Sequence, residues 1–318
     1  MRKRTISYAK WGYIFLIPFV VIYFVFNLVP LVETFGFSFI DYVVSQGSVS
    51  SIRGGGGGDT ITNNGFCGLQ NYASALASDG IFTISFKSTV VLWIVGFIPQ
   101  IIVSLLLASW FTDIRLKLKA QGFFKTVMYM PNVIMASALS LLFFSLVTKS
   151  GALDELLGSP DLLKKEWGAR GVVGFINFLM WYGNTTIMLM AAMMGIDTSL
   201  YEAAQIDGAN PTQVFWQITM PLIKPILAYV FVTSMIGGLQ MYDVPYLIGG
   251  TQGTPNGVLK TLVTQIQLGK NSSVGVVSAL SVLVFIVSAV LGFLTLKIMD
   301  DQSIKTRYGK KKQKKHAW

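Results

Sequence analysis

Apolar residues fall along this chain in six long blocks, approximately 11–33, 83–111, 123–147, 172–196, 225–248 and 274–297. Each is near or above the ~20 residues that a helix needs to cross about 30 Å of hydrocarbon. The pattern predicts an all-α integral membrane protein with six transmembrane helices. The first block follows a basic cluster, as the apolar part of a signal peptide would. It is too long for that part and has no small-residue cleavage site before Glu33, so it reads as an uncleaved helix. Its Pro18, Asn27 and Pro30 predict kinking or packing against neighbours.

Between the fourth and fifth blocks the pattern changes character. From Ser199 to Pro221 the chain reads SLYEAAQIDGANPTQVFWQITMP, amphipathic and interrupted. Ser199 and Glu202 stand at capping-box spacing, which predicts a helix start at Ser199. Gly208 predicts its end, and Asn210-Pro211 a turn and restart. Val214, Phe215 and Ile218 form the apolar face of a second short helix, which Pro221 is expected to stop. The expected product is a short helix, a sharp bend and another short helix between two spans.

Composition agrees with a lipid setting. The 318 residues are 53% hydrophobic and 13% charged, about half the charge of an ordinary soluble domain at roughly 25%, and mean hydropathy is +0.58. The net charge of +10 does not point to nucleic acid, because much of it sits at the ends, in Arg2-Lys3-Arg4 and in the lysines from Lys310 to Lys315. With a cytoplasmic N-terminus, the inner segments hold Arg2, Lys3, Arg4, Lys10, Arg115, Lys117, Lys119, Lys125, Lys224, Lys297, Lys305, Arg307 and five tail lysines. The outer ones hold Arg53, Lys87, Lys149, Lys164, Lys165, Arg170, Lys260 and Lys270, giving 17 against 8. This asymmetry predicts a multi-pass protein of the cell membrane with both termini, the 112–122 loop and the 197–224 loop in the cytoplasm.

The organisation that follows is a basic N-terminus (1–10), a first span (11–33), an external loop (34–82), a core of five further spans (83–297) and a basic tail (298–318). The external loop is expected to be flexible and polar around Gly54 to Gly58; it reads as a tolerated insertion or as a docking place for a soluble partner. Residues 148–171 suggest a short helical cap. The tail reads as an anchor on anionic lipid, with RNA binding or docking of a regulatory subunit as the alternatives. Cys67 is the only cysteine and His316 the only histidine, which excludes an intrachain disulfide and leaves little room for metal sites or His-based catalysis. No Gly-x-x-x-x-Gly-Lys-Ser/Thr loop occurs, so the chain is not expected to hydrolyse ATP. It is expected to be non-catalytic, without a cofactor of its own, and driven by a gradient or by a partner.

The stretch that opened at Ser199 chooses between these. Glu202-Ala203-Ala204, three residues, Gly208, nine residues, Ile218 and Pro221 resemble the cytoplasmic loop of binding-protein-dependent ABC importer permeases, with Met220 where leucine is usual. Further strings resemble the carbohydrate-type branch, related to maltose and glycerol-phosphate importers: Gly68-Leu69-Gln70-Asn71-Tyr72, Phe124-Lys125-Thr126 through Met130-Pro131, Tyr201 to Ala209, and Tyr242-Asp243, Tyr246 and Gly249-Gly250. The resemblance covers roughly residues 8–300. It implies an importer type I permease fold with a coupling helix between spans four and five, where Glu202, Ala203, Ala204, Asp207, Gly208, Ala209 and Pro221 engage an ATP-binding subunit. It also implies a second homologous permease, two ATP-binding subunits that bind the ATP, an extracytoplasmic solute-binding protein, and alternating access. The other reading of the stretch is an ordinary surface helix.

A solute passage needs polar groups inside spans, where ionisable ones are costly, about 2.5–3.5 kcal/mol for a central carboxylate. Asp243 stands in the fifth block with Gln240 three residues before it, on one helical face, continued by Tyr246 beside Tyr242. The fourth block offers Asn177, Trp181, Tyr182 and Asn184 in one register. Amides that satisfy hydroxyls and rings that cover C–H faces suit a sugar, and the resemblance places a sugar site on these two spans. Gln240 and Asp243 also suit an interhelical hydrogen bond or a contact with the partner permease, and Trp181 and Tyr182 suit packing or an interfacial belt. The expectation is a permease for a sugar, oligosaccharide or polyol. The alternatives are a permease for another solute, a gradient-driven transporter or channel, which predicts inverted repeats and several intramembrane charges, and a membrane scaffold, which leaves the coupling string without a purpose.

Overall fold

A computed structural model describes residues 9–45, 60–77, 80–113, 120–148, 151–158, 162–249, 258–269 and 273–315. The Gly54–Gly58 run lies outside them. The chain divides into two compact units, one of residues 1–83 with 266–285 and the other of 84–265 with 286–318.

In the first unit, α1 (Ala9–Tyr23) and α2 (Val29–Phe37) are joined by a π turn at Phe24–Leu28, in which the Val29 N–H reaches Phe24 O. Pro30 lies just beyond. In a regular helix its ring would meet the carbonyl four residues back, and the wide turn removes that conflict. The segment that follows, expected to be flexible around Gly54–Gly58, forms a hairpin in its described parts. β1 (Ile40–Ser45) pairs antiparallel with β2 (Thr60–Phe66), with an irregularity between Ile40 and Tyr42. The β-branched and aromatic run Ile40, Tyr42, Val43 and Val44, facing Thr60-Ile61-Thr62, is strand-forming sequence. The turn into α3 (Gln70–Leu76) uses Gly68 at φ +60°, open to a residue without Cβ. Asn71 of α3 is buried and donates from Nδ2 to Ser38 O and Ile40 O, each at 3.0 Å. Tyr72 Oη donates to Ser38 Oγ at 2.7 Å. These bonds tie α3 to the end of α2 and the start of the hairpin.

The second unit holds most of α4 (Ile81–Thr112), then α5 (Gln121–Val133), α6 (Ala136–Val147), α7 (Ala152–Leu157), α8 (Glu166–Met194), α9 (Thr198–Ile206), α10 (Pro211–Val214), α11 (Met220–Leu239) and α12 (Asp243–Gly249). Beyond these come α13 (Leu262–Gly269) and α14 (Val274–Lys315), whose residues 274–297 are apolar enough to span. In α4 the buried positions are Ser85, Ser88, Thr89, Leu92, Gly96, Gln100, Ser104 and Ala108, mostly four apart. Its small and polar stripe thus turns inward, while Ile94, Ile98, Ile102 and Leu106 are exposed, as expected of a helix whose outer side meets lipid. Gly96 and Gly174 of α8 meet backbone to backbone, and a Cβ on Gly174 would lie 2.5 Å from Val95 Cγ1. Gly183 of α8 admits Met128 O of α5 in the same way.

Two of the expected spans are not continuous. The 123–147 block is α5 and α6, bent by 88° where Ile134 turns extended three residues after Pro131. The 225–248 block breaks at 240–242. Pro245 explains the break, since its ring would strike Met241 O in a continuous helix. That carbonyl accepts the Thr261 hydroxyl at 2.8 Å instead. Among the described residues, five helices are long and apolar enough to cross a membrane, or six when the bent pair is one span. The core of the second unit is two apolar clusters. One gathers Leu92, Leu139, Val173, Ile176, Val244 and Ile248, the other Ala108, Leu189, Met190, Met193 and Ile223.

Candidate functional site

The segment after α8 forms a helix–bend–helix whose details differ from the expected ones. The cap of α9 is Asp197, whose carboxylate accepts the Ser199 N–H at 3.0 Å; Ser199 is the second residue of the helix. Asp197 supersedes the Ser199–Glu202 box because it stands one residue before the first helical turn, where an acceptor reaches the free N–H groups. The Ser199 backbone N–H, followed by the Ser199 side chain, holds its carboxyl below the usual carboxylate range. At the other end Gly208 has φ +74°. Its N–H donates to Gln205 O at 3.1 Å and the Ala209 N–H to Ala204 O at 2.9 Å, the paired bonds of a Schellman ending. A capping box does occur, at Asn210 and Gln213, opening α10.

Pro221 does not stop the second helix. Residues 211–239 run on as one length through a π turn at Phe215–Thr219, where the Met220 N–H reaches Phe215 O. Pro221, next in the chain, would otherwise press on Gln217 O, the conflict already met at Pro30. Within α9, Ala204 is buried, while Glu202 and Ala203 are exposed, as is Asp207 at its C-terminal cap. Leu200 and Ile206 are exposed too, Ile206 at 87%. The Tyr201 and Thr219 hydroxyls lie 3.3 Å apart and link α9 to the end of the π turn. A cavity of about 560 Å³ lies beside this link, walled by Trp110 and Asp113 at the end of α4 and by Gln205, Phe215 and Trp216.

Farther along α8, between the two apolar clusters, a second cavity of about 240 Å³ opens between α4, α8 and α11. Asn177, Trp181 and Asn184 line it, at positions i, i+4 and i+7. Tyr182 does not; its ring stacks on Phe178, centroids 5.2 Å apart, because one residue turns the helix about 100° away. Asn177 Nδ2 donates to Val173 O at 3.0 Å and approaches Met241 Sδ at 3.4 Å. The helix break also separates Gln240 and Asp243, which were expected on one face. Gln240 caps α11 and is exposed, and exposed Asp243 opens α12, where a negative charge suits the helix N-terminus. Tyr242 and Tyr246 stack at 5.1 Å and do not line the cavity.

Other lining residues were not among the expected ones, those of α4 coming from a span with no expected site residue. Trp93, Phe97 and Gln100 of α4 stand at i, i+4 and i+7, and Tyr229, Thr233 and Gly237 of α11 at i, i+4 and i+8. Helical spacing of polar and aromatic residues inside an apolar block was the available signal. The Trp93 indole N–H donates to Ser234 Oγ at 3.1 Å, and its ring fills the space above Gly238, where a Cβ would lie 2.5 Å away. Gln100 Nε2 donates to Thr185 Oγ1 at 2.8 Å. Among the described residues no group of three or more His, Cys, Asp or Glu is placed to hold a metal ion.

Residues 100–302 match the family described as binding-protein-dependent transport system inner membrane components. The chain belongs to this family. As a member it is a multi-pass membrane permease subunit, and the matched segment contains both the helix–bend–helix and most of the cavity. Similar proteins include the multiple sugar-binding transport system permease protein MsmF of Streptococcus mutans, 26% identical and covering 94% of this chain and 98% of that protein. The arabinooligosaccharides transport system permease protein AraP of Bacillus subtilis is 29% identical, covering 93% and 91%. The lactose transport system permease protein LacF of Rhizobium radiobacter is 27% identical, covering 89% and 92%. Among solved structures, a chain of a bacterial ABC transporter involved in the import of the acidic polysaccharide alginate shares the fold, with a TM-score of 0.70 at 20% identity, covering 92% of this chain and 95% of that one.

Proposed function

We propose that this family member is the permease subunit of an ATP-driven importer for a carbohydrate, whether sugar, oligosaccharide or polyol, delivered by an extracytoplasmic binding protein. The observation that carries this reading is the capped helix α9 with Leu200, Ile206 and Ala203 turned outward. A short rigid helix with apolar side chains on offer, joined to spans at both ends, is a lever for a partner. The partner is an ATP-binding subunit, since the sequence has no phosphate loop of its own; ATP is bound and hydrolysed there. Glu202, Ala203, Ala204, Asp207, Gly208, Ala209 and Pro221 form or support that contact. Both termini and α9 face the cytoplasm, where the lysines and arginines concentrate. The names of the relatives and the amides and rings around the smaller cavity support a sugar as cargo. In alternating access, closure of the ATP-binding subunits moves α9, and α11 carries that movement to the cavity wall. A second, homologous permease completes the passage, and this chain needs no cofactor.

The test is co-purification with candidate ATP-binding subunits, followed by Glu202→Ala and Gly208→Val. Gly208→Val places a β-branched residue at positive φ, a conformation it strongly resists. Loss of assembly, or of ATP-coupled uptake, is expected for both. Survival of assembly, coupling and uptake in both variants would overturn the assignment of α9.

A further inference from the structure

Among the described residues, none that lines the smaller cavity is Lys, Arg, His, Asp or Glu. The three helices that wall it keep their charges at their beginnings: Lys87 in α4, Glu166 and Arg170 in α8, and Lys224 in α11. From Ser88 to Thr112, Gly171 to Met194 and Pro225 to Leu239 there is no ionisable Asp, Glu, Lys, Arg or His. Arg170 is committed elsewhere, paired with Glu166 at 2.5 Å and lying over the Trp167 ring at 5.1 Å. Asp243, two residues past the lining residue Met241, stands outside the wall.

What the wall does offer is neutral. Trp93, Phe97, Trp181 and Tyr229 supply ring surfaces, while Gln100, Asn177 and Asn184 supply amides that both donate and accept. Space for roughly eight waters, at about 30 Å³ each, suits one sugar ring at a time. A hydroxylated ring finds hydrogen-bond partners and a flat apolar face here. A carboxylate or phosphate finds no cation, and an unpaired charge away from water is strongly disfavoured.

We infer that this subunit passes neutral sugars and rejects anionic ones such as uronates and sugar phosphates. The inference rests on the proposed function and narrows it. It also separates this chain from its structural neighbour, whose described cargo is an acidic polysaccharide.

The experiment is equilibrium binding of radiolabelled probes to the assembled permease–ATP-binding complex in nanodiscs, without the soluble binding protein, whose own selectivity then does not enter. The probes are maltose, lactose and arabinobiose against digalacturonate and lactose phosphate, with ATP-coupled uptake of the same compounds into proteoliposomes containing the binding protein. At least one neutral probe is expected to bind tenfold or more tightly than every anionic one. Met188→Lys, which sets a cation of similar length in the wall, should narrow that ratio at least threefold. Equal or tighter binding of an anionic probe overturns the inference and leaves the proposed function standing. An unchanged ratio in Met188→Lys, in a complex that still assembles, overturns the placing of selectivity in this wall. Failure of every sugar to bind or enter overturns the proposed function, and this inference with it.

Discussion

Asn71 shows how much one side chain organises in the first unit. Its amide satisfies two carbonyls, Ser38 O and Ile40 O, at a point where helix gives way to strand. Gly275 is equally constrained, for a Cβ there would run into Ile40 O and lie 2.7 Å from Asn71 Nδ2. Asn71→Ala leaves both acceptors short of a donor, so a loss of about 1–3 kcal/mol is expected, read as a lowered denaturation midpoint in detergent. Asp197 acts by charge. Its folded-state pKa lies below the unfolded value of about 3.9, so its capping contribution is complete above that value and disappears as pH falls through the lower, folded one. Protection of the α9 amides, measured relative to their intrinsic exchange rates, should therefore fall below about pH 4. Asp197→Asn keeps a cap without a titrating group, and should flatten the profile. Neither role was visible in the sequence. The Gly68–Tyr72 string was recognised as a pattern, but its hydrogen bonds join it to residues more than thirty positions away, a separation that no local spacing reports. At α9 two acceptors stand close together, and the cap lies at Asp197, two residues before the expected Ser199.

Among the elements, the long ones were legible and their interruptions were not. Block length and apolarity located the membrane helices, because a span has to be long and dry. Pro18 and Pro30 of the first block were expected to kink it, whereas no break was expected at Pro131 or Pro245 inside later blocks, because hydropathy is blind to the carbonyl that each displaces. The same blindness hid the inward stripe of α4, whose serines, threonine and glutamine are too few to lower its apolar average. The helix–bend–helix was legible in outline, since Gly208, Asn210 and Pro211 carry their conformations locally, whereas its junction with α11 depended on a π turn. That junction predicts a particular variant. Tyr201→Phe keeps the ring and removes the hydroxyl facing Thr219, so stability should change by no more than about 1.5 kcal/mol. Under the proposed coupling of α9 to α11, solute imported per ATP should fall severalfold, with assembly intact. An unchanged ratio would overturn that role for the Tyr201–Thr219 contact.

For the whole molecule, the first span Gly12–Phe37 has none of its most apolar window buried, whereas 39% of the corresponding window in α8 is buried. Its apolar surface is therefore available to lipid or to another subunit. Deleting residues 1–28 should leave α4–α12 folded, with a thermal midpoint within a few degrees of the full chain, and should weaken assembly with the second permease. Collapse of the remaining fold would overturn this. Amides and rings inside the spans led the sequence to suggest a sugar, but the wall itself takes residues from three helices far apart in sequence, and only Asn177, Trp181 and Asn184 of the expected set line it. The π turn at Phe215–Thr219 has one more consequence, for inheritance rather than motion. Such a turn carries one residue beyond what a regular helix needs, so it is a place where the chain can change length. Loss of Gln217, paired with Pro221→Leu to remove the need for a wide turn, would keep α10 and α11 in phase. The same loss in the middle of α11 would swing everything upstream by about 100°. Single-residue length differences among related sequences should therefore gather at 215–219 and be rare between 222 and 238.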